Sequence, residues 1–268
     1  MRYRCVCMAA LAALTVSRFA LAGVIYQNDF QTPATQFDSL SAGGTLGSLS
    51  TVSLPTDSGG ISSVNQSTWL GRLGMSVTKS SSIAEMVTLS LNGLVPGEQY
   101  SVAFDLFIGG SWDGSVGCCG PDRWRAIVTS GAVTTPLVDA TFSNCAPCGA
   151  GGPQTYTDAT PLAGLGGTTH PPETGADFSF DTQPSPYTLD YGIYWFGHGA
   201  GNPSLSFIAG ASTATLLFER GPGPSNLDSA DEYWGLDNIS VTGQSAAPEP
   251  GLMVLGGLAL IWIARLRR

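Results

Sequence analysis

Hydrophobic and polar residues alternate along the middle of the chain. From Tyr100 to Ile108 every second residue is apolar, and Ser, Ala, Asp and Phe lie between them. A period of two predicts a β-strand with one face against a hydrophobic core. Ile83–Leu91 shows the same alternation at Val87, Leu89 and Leu91.

Turn-forming residues separate these stretches from other short apolar segments. Clusters of Gly, Pro, Ser and Thr are typical of turns, and residues 38–66 and 143–186 consist largely of them. The first region carries weak strand signals, and the second predicts a long loop. No segment between residues 23 and 247 predicts a helix. The predicted strands are Val24–Phe30, Trp69–Thr78, Ile83–Leu91, Tyr100–Ile108, Arg123–Thr129, Ala132–Phe142, Tyr187–Phe196, Leu205–Ile208, Thr213–Phe218 and Trp234–Val241.

Composition supports one all-β domain. Hydrophobic residues make up 43% of the 268 residues and charged residues only 12%. This balance argues against general disorder, and the scarcity of Lys and Glu argues against long exposed helices. About ten strands at these spacings are typical of a single β-sandwich with long Gly- and Pro-rich loops.

The N-terminus has the layout of a secretory signal peptide. Arg2 and Arg4 precede an apolar run, which ends in Ala20-Leu21-Ala22 before Gly23. A positive start, an apolar centre and an A-x-A cleavage site define such signals. We therefore expect residues 1–22 to be removed and residues 23–245 to form the sandwich domain.

The C-terminus, residues 246–268, has three parts. Pro248-Glu249-Pro250 precedes the apolar stretch Leu252–Ala264, and Arg265, Arg267 and Arg268 close the chain. The apolar stretch is shorter than the ~20 residues of a usual membrane span, and the arginines predict a cytoplasmic end. This order closely resembles the PEP-CTERM sorting signal of Gram-negative bacteria that make extracellular polysaccharide. The resemblance implies a short transmembrane helix in the inner membrane, which an exosortase recognises and removes. The alternative is an ordinary single-span anchor.

Processing at both ends would change the charge. Residues 23–247 keep five of the 11 basic residues and 19 of the 20 acidic ones, which moves the net charge from −9 to −14. So acidic a surface repels phosphate backbones, which argues against nucleic acid as a partner. It fits an exported protein, or one that binds cations.

Four cysteines remain in the mature chain: Cys118, Cys119, Cys145 and Cys148. Export permits disulfides. If residues 123–142 form a hairpin about Ser130-Gly131, both cysteine pairs lie at its open end. This predicts Cys118–Cys148 and Cys119–Cys145, or the swapped pairing across the hairpin. The alternative is a zinc site built from the four thiolates.

Catalytic signatures are absent from the sequence. It contains two histidines, His170 and His198, and neither lies in a metalloprotease motif. It has no nucleophile elbow, P-loop or dinucleotide fingerprint. We therefore expect no enzyme, although carboxylates from different strands can converge for glycoside hydrolysis.

Three stretches resemble one recurrent exported domain. They are Trp69–Gly74, Phe104–Trp124 and Asp231–Val241. The resemblance implies a jelly-roll sandwich like those of carbohydrate-binding modules and galactose-binding-like domains. It also implies a structural calcium shared by the first and last strands, with Asp29, Asp237 and Glu232 as ligands. The alternative for Asp237 is a turn at a strand end.

Trp112-Asp113-Gly114 is the candidate ligand site. A flat indole suits the apolar face of a sugar, and Asp113 is a candidate calcium ligand. A tryptophan in a sandwich is also a common core residue, and Asp before Gly is an ordinary turn signal. The sequence thus predicts an exported, non-enzymatic component of the cell surface or biofilm matrix, associated with exopolysaccharide. The alternatives are a carbohydrate-binding, calcium-dependent module and, less favoured, a glycan-active enzyme.

Overall fold

The structure is a computed structural model that describes residues 23–30, 37–40, 50–51, 68–73, 86–115, 120–144, 152–180, 191–221 and 232–243. Gly23–Gln244 form one compact unit. The predicted signal peptide, the sorting tail and all six cysteines lie outside the described residues.

The described chain is all-β. It contains no helix that is long and apolar enough to cross a membrane. Its strands are β1 (Val24–Asn28), β2 (Phe37–Leu40), β3 (Ser50–Thr51), β4 (Thr68–Leu73), β5 (Met86–Asn92), β6 (Gln99–Gly110), β7 (Arg123–Ser130), β8 (Val133–Thr141), β9 (Phe178–Phe180), β10 (Tyr191–Phe196), β11 (Leu205–Ile208), β12 (Thr213–Arg220) and β13 (Glu232–Gly243).

The strands form two antiparallel sheets. The larger sheet has eight strands in the order β3-β4-β13-β6-β10-β9, with β1 also paired to β13 and β11 also paired to β6. The smaller sheet has the order β2-β5-β12-β7-β8. Each of the ten predicted strands overlaps an observed one. The short strands β2, β3 and β9 were not predicted.

Aromatic side chains fill the space between the sheets. Phe104 of the larger sheet lies 5.7 Å from Trp124 and 5.2 Å from Phe218 of the smaller sheet, measured between ring centroids. Trp124 also meets Trp234 edge-on at 5.9 Å. The alternation in β6 explains this core, because its even-numbered residues from Tyr100 to Ile108 all face inward and are buried.

A second, smaller apolar layer covers part of the outer face of the larger sheet, the face turned away from the smaller sheet. Trp69 stacks on Phe107 at 4.8 Å, and Tyr191, Ile193 and Tyr233 belong to the same cluster. Odd-numbered residues of β6 are therefore also buried near its C-terminal end.

The predicted loop 143–186 is ordered where the structure describes it. Gln154 pairs with His170 through two backbone hydrogen bonds. The buried Gln154 amide donates to the carbonyls of Tyr156 and Thr174 and accepts from the amides of Ser143 and Glu173. One side chain thus satisfies four backbone groups and anchors the loop to the sandwich.

Candidate functional site

Two aspartates lie side by side on the outer face of the larger sheet. Asp105 of β6 is directly opposite Asp237 of β13. Opposed residues of antiparallel strands point to the same face, with Cβ atoms about 5 Å apart. Both carboxylates are buried, at 3% and 0% exposure. Like charges in this position destabilise a sheet unless donors compensate them.

Asn238 supplies two of those donors from a β-bulge. The register of β13 against β6 shifts between Asp237 and Ser240, and Asn238 has a positive φ of 49°. In this conformation its backbone N–H donates to Asp237 Oδ1 at 2.8 Å, and its side-chain amide donates to Asp105 Oδ2 at 2.7 Å. The bulge therefore links the two carboxylates.

His198 binds the second carboxylate oxygen of Asp105, the one that Asn238 does not contact. Its Nε2 lies 2.8 Å from Asp105 Oδ1. The hydrogen bond to Asp105 raises the pKa of His198, and partial burial of the ring opposes this shift. His198 follows Gly197, whose φ is 75° and where an added Cβ would lie 2.4 Å from the Val102 carbonyl oxygen. Only glycine fits at position 197, and the turn that it forms places His198 next to Asp105.

Trp195 and Asn202 form another wall of the same site. The Trp195 backbone N–H donates to Asp177 Oδ2 at 2.7 Å, and the Asn202 amide donates to Asp177 Oδ1 at 2.9 Å. Trp195 is partly exposed, and Asp177 is exposed. The carboxylate of Asp177, just before β9, thus binds both strand β10 and the loop that follows it.

These groups surround an open cleft of about 660 Å³. Its lining offers amides, a hydroxyl, carboxylates, one imidazole and one indole, and the described lining residues include neither Lys nor Arg. This set can form hydrogen bonds in both directions and present an aromatic surface. The residues that line the cleft are Gln27, Asn28, Asp29, Asp105, Trp195, His198, Ala200, Asn202, Asn238 and Ser240.

The predicted calcium ligands do not form one set. Asn28 pairs with Ile239, so the next residue, Asp29, lies at the cleft beside the segment that contains Asp237. Glu232 pairs with Gly110, five residues away from Asp237 along β13. At ~3.4 Å per residue this separation is about 17 Å. The prediction that Glu232 shares an ion with Asp29 and Asp237 is therefore wrong.

The aspartate pair already accepts several N–H donors. Asp105 Oδ1 accepts from His198 and Oδ2 from the side chain of Asn238, and Asp237 Oδ1 accepts from the Asn238 backbone N–H. A calcium ion needs six to eight oxygen ligands, and calcium at Asp29 and Asp237 stays a prediction.

Glu232 belongs to a separate acidic cluster. Oxygens of Asp113, Asp122 and Glu232 lie within 4.8 Å of one another. The Arg220 guanidinium donates to Asp122 Oδ1 at 2.7 Å and also to Glu232 Oε2. Arg220 thus already pairs with two of the three carboxylates, and we interpret the cluster as a buried ion network that joins the sheets.

Trp112 is not the expected sugar platform. It is fully buried, its indole donates to the Tyr233 carbonyl oxygen at 3.1 Å, and Arg220 lies over its ring at 5.0 Å. No face of the ring is left for a sugar. The neighbouring Asp113 forms a bridge with Ser143 and is a member of the acidic cluster rather than a residue of the cleft.

The hairpin used to place the cysteines is present. β7 and β8 pair from Ser130 and Val133 to Arg123 and Thr141. Cys118, Cys119, Cys145 and Cys148 lie outside the described residues, so their bridges stay predictions. The same holds for the sorting residues Pro248, Glu249, Pro250, Arg265, Arg267 and Arg268.

Sequence reasoning missed Asp105 and His198 as site residues. Asp105 carried a usable signal, because it is the one charged residue within a strictly alternating apolar strand. His198 lies between glycines directly after an aromatic strand.

No known protein family matches the chain, and no curated protein matches it significantly. The cleft is therefore interpreted from its own geometry.

Proposed function

We propose that the mature protein is a non-enzymatic, carbohydrate-binding component of the bacterial cell surface or extracellular matrix. In this proposal the signal peptide exports the chain, and an exosortase processes the PEP-CTERM tail at the inner membrane. The sandwich is of the jelly-roll type, and extracellular polysaccharide is its partner.

One observation carries the proposal: a cleft on a sheet face combines a partly exposed indole with closely spaced amides and carboxylates. Sugar hydroxyls both donate and accept, and they suit a lining with both capacities. The apolar face of a sugar ring suits the flat indole of Trp195. Sites of this kind use few polar groups to orient a ligand and apolar surface to hold it.

The bonding of Asp105 supports binding over catalysis. A glycosidase needs one carboxyl group that delivers a proton and a second that acts as base or nucleophile. Asp105 accepts from two fixed N–H donors, and Asp237 lies beneath the cleft at 0% exposure. This arrangement favours a structural role for the pair.

Binding of the purified full chain to a polysaccharide and oligosaccharide array tests the proposal. We expect saturable binding, and we expect Trp195→Ala to weaken it about tenfold, as loss of an aromatic anchor does. Leu162→Ala is the control, because Leu162 is an exposed apolar residue in the loop beside β8. Failure of the folded protein to bind any glycan would overturn the proposal.

A further inference from the structure

We infer that the saccharide bound in this cleft carries a protonated amine, as a 2-amino-2-deoxy sugar does. The inference rests on the proposed function and adds the class of ligand.

The cleft is acidic at its floor and at its rim. Asp105 and Asp237 lie opposite each other on the sheet, and the one basic residue among the described residues of the lining, His198, offsets the charge of Asp105 when it is protonated. Asp29 is exposed and lines the cleft, and the exposed Asp177 is hydrogen-bonded to the lining residues Trp195 and Asn202. A cationic group gains favourable electrostatic energy here, and an anionic group meets repulsion.

The floor already binds N–H donors. An imidazole and two amide N–H groups contact the Asp105–Asp237 pair at 2.7–2.8 Å. Hydrogen bonds from charged donors to carboxylates are about twice as strong as neutral ones. A ligand ammonium at the rim would extend the same donor-to-carboxylate pattern outward.

Trp195 adds a second attraction for a cation. Its indole lines the cleft, and its backbone N–H donates to the exposed carboxylate of Asp177. An ammonium over an indole face is attracted by the ring quadrupole. The lining thus offers an amine both an indole and the carboxylates of Asp29 and Asp105.

The arginines with described side chains form ion pairs away from the cleft. Arg123, Arg125 and Arg220 lie on β7 and β12 of the smaller sheet, where they pair with Asp139, Glu219 and Asp122. Recognition of a uronate, sulfate or phosphate group uses such guanidinium groups. Their placement leaves the cleft suited to cationic and not to anionic sugars.

Calorimetry on the purified full chain with four probes at pH 6 tests the inference. The probes are the β-1,4-linked tetrasaccharides of glucosamine, N-acetylglucosamine and galacturonic acid, and tetralysine. We expect glucosamine tetrasaccharide to bind about tenfold more tightly than its acetylated form, and the uronic acid to bind most weakly.

Charge-neutral variants locate the contact. Asp29→Asn and Asp177→Asn are each expected to weaken binding of the glucosamine tetrasaccharide about two- to fivefold, the range of exposed ion pairs. Glu98→Gln is the control, because Glu98 directly precedes β6 and lies seven residues, or about 24 Å of extended chain, from Asp105. Its affinity should match that of the wild type.

The outcomes separate the two proposals. Equal binding of the acetylated tetrasaccharide, or tighter binding of the uronic acid, would overturn the amine but leave a carbohydrate site. Tetralysine binding as tightly as the glucosamine tetrasaccharide would show attraction by charge alone and overturn the inference. No binding of any saccharide would overturn the proposed function itself.

Discussion

Asp105 connects more parts of the cleft than any other described side chain there. It reaches the glycine-flanked turn through His198, the bulge of β13 through Asn238 and the strand β13 through its opposition to Asp237. Each of these donors replaces a hydrogen bond to water that burial removed. Asp105 thus links its own strand β6 to β13 and to the turn after β10.

The bond between His198 and Asp105 predicts a pH-dependent stability. The pKa of His198 is raised in the folded state, first by its hydrogen bond to Asp105. Its contribution to stability is therefore complete below the unfolded value of about 6.5 and is lost as pH rises through the folded pKa. We expect the wild-type Tm to fall between pH 6 and pH 8.5, and His198→Gln to flatten that fall.

Thermal denaturation followed by circular dichroism across this range measures the effect. His170→Gln is the matched control, because His170 holds its loop through backbone bonds to Gln154. An unchanged slope in His198→Gln would contradict the assignment.

The long strands were predicted from the alternation of apolar and polar residues and from the turn-forming clusters between them. β5, β7 and β12 bury every second side chain over most of their length, and such a pattern is visible in sequence. The strands β2, β3 and β9 have four, two and three residues, too few for a period to appear.

The candidate site was only partly predictable from the sequence. Asp29 and Asp237 were predicted together because the resemblance implies a calcium shared by the first and last strands; these two strands do pair, and the calcium stays a prediction. The prediction that Glu232 shares an ion with Asp237 was wrong because residues a few positions apart lie far apart on an extended strand. The prediction of Trp112 as a sugar platform was wrong because the burial of a side chain depends on residues far away in sequence, here Tyr233 and Arg220.

Close packing of β13 against Trp69 predicts a strong effect at Gly235. A Cβ added there would lie 1.8 Å from Trp69 Cζ3 and 2.9 Å from the Leu70 carbonyl oxygen. The ring and the strand would both have to shift, so Gly235→Ala should cost about 1–3 kcal/mol of unfolding free energy. Urea denaturation measures this cost. Gly166→Ala, where nothing lies within 4 Å, should be nearly neutral; equal midpoints for the two variants would refute the packing.

At the scale of the whole molecule, Arg220 joins the two sheets at one end of the sandwich. It extends from β12 of the smaller sheet to Glu232 of β13 in the larger one, and it also holds Asp122 ahead of β7. All three side chains are at most 6% exposed. Charges buried in this way are tolerated only while they remain paired.

Arg220→Met should therefore destabilise the protein by about 3–5 kcal/mol near neutral pH, because it leaves uncompensated buried carboxylates. Arg123→Met is the matched control. Both side chains of its ion pair with Asp139 are partly exposed, at 17% and 22%, so we expect a loss of about 1 kcal/mol or less. Guanidinium denaturation of the three proteins gives the values. Equal losses would mean that the network contributes no more than a surface pair.

The position of β13 determines how the sandwich responds to mechanical load. This twelve-residue strand is the last that the structure describes, and it is hydrogen-bonded to β6 on one side and to β1 and β4 on the other. A force applied to the chain at Gly243 would therefore act on a strand that neighbours hold from both sides, and not on one at the edge of the sheet.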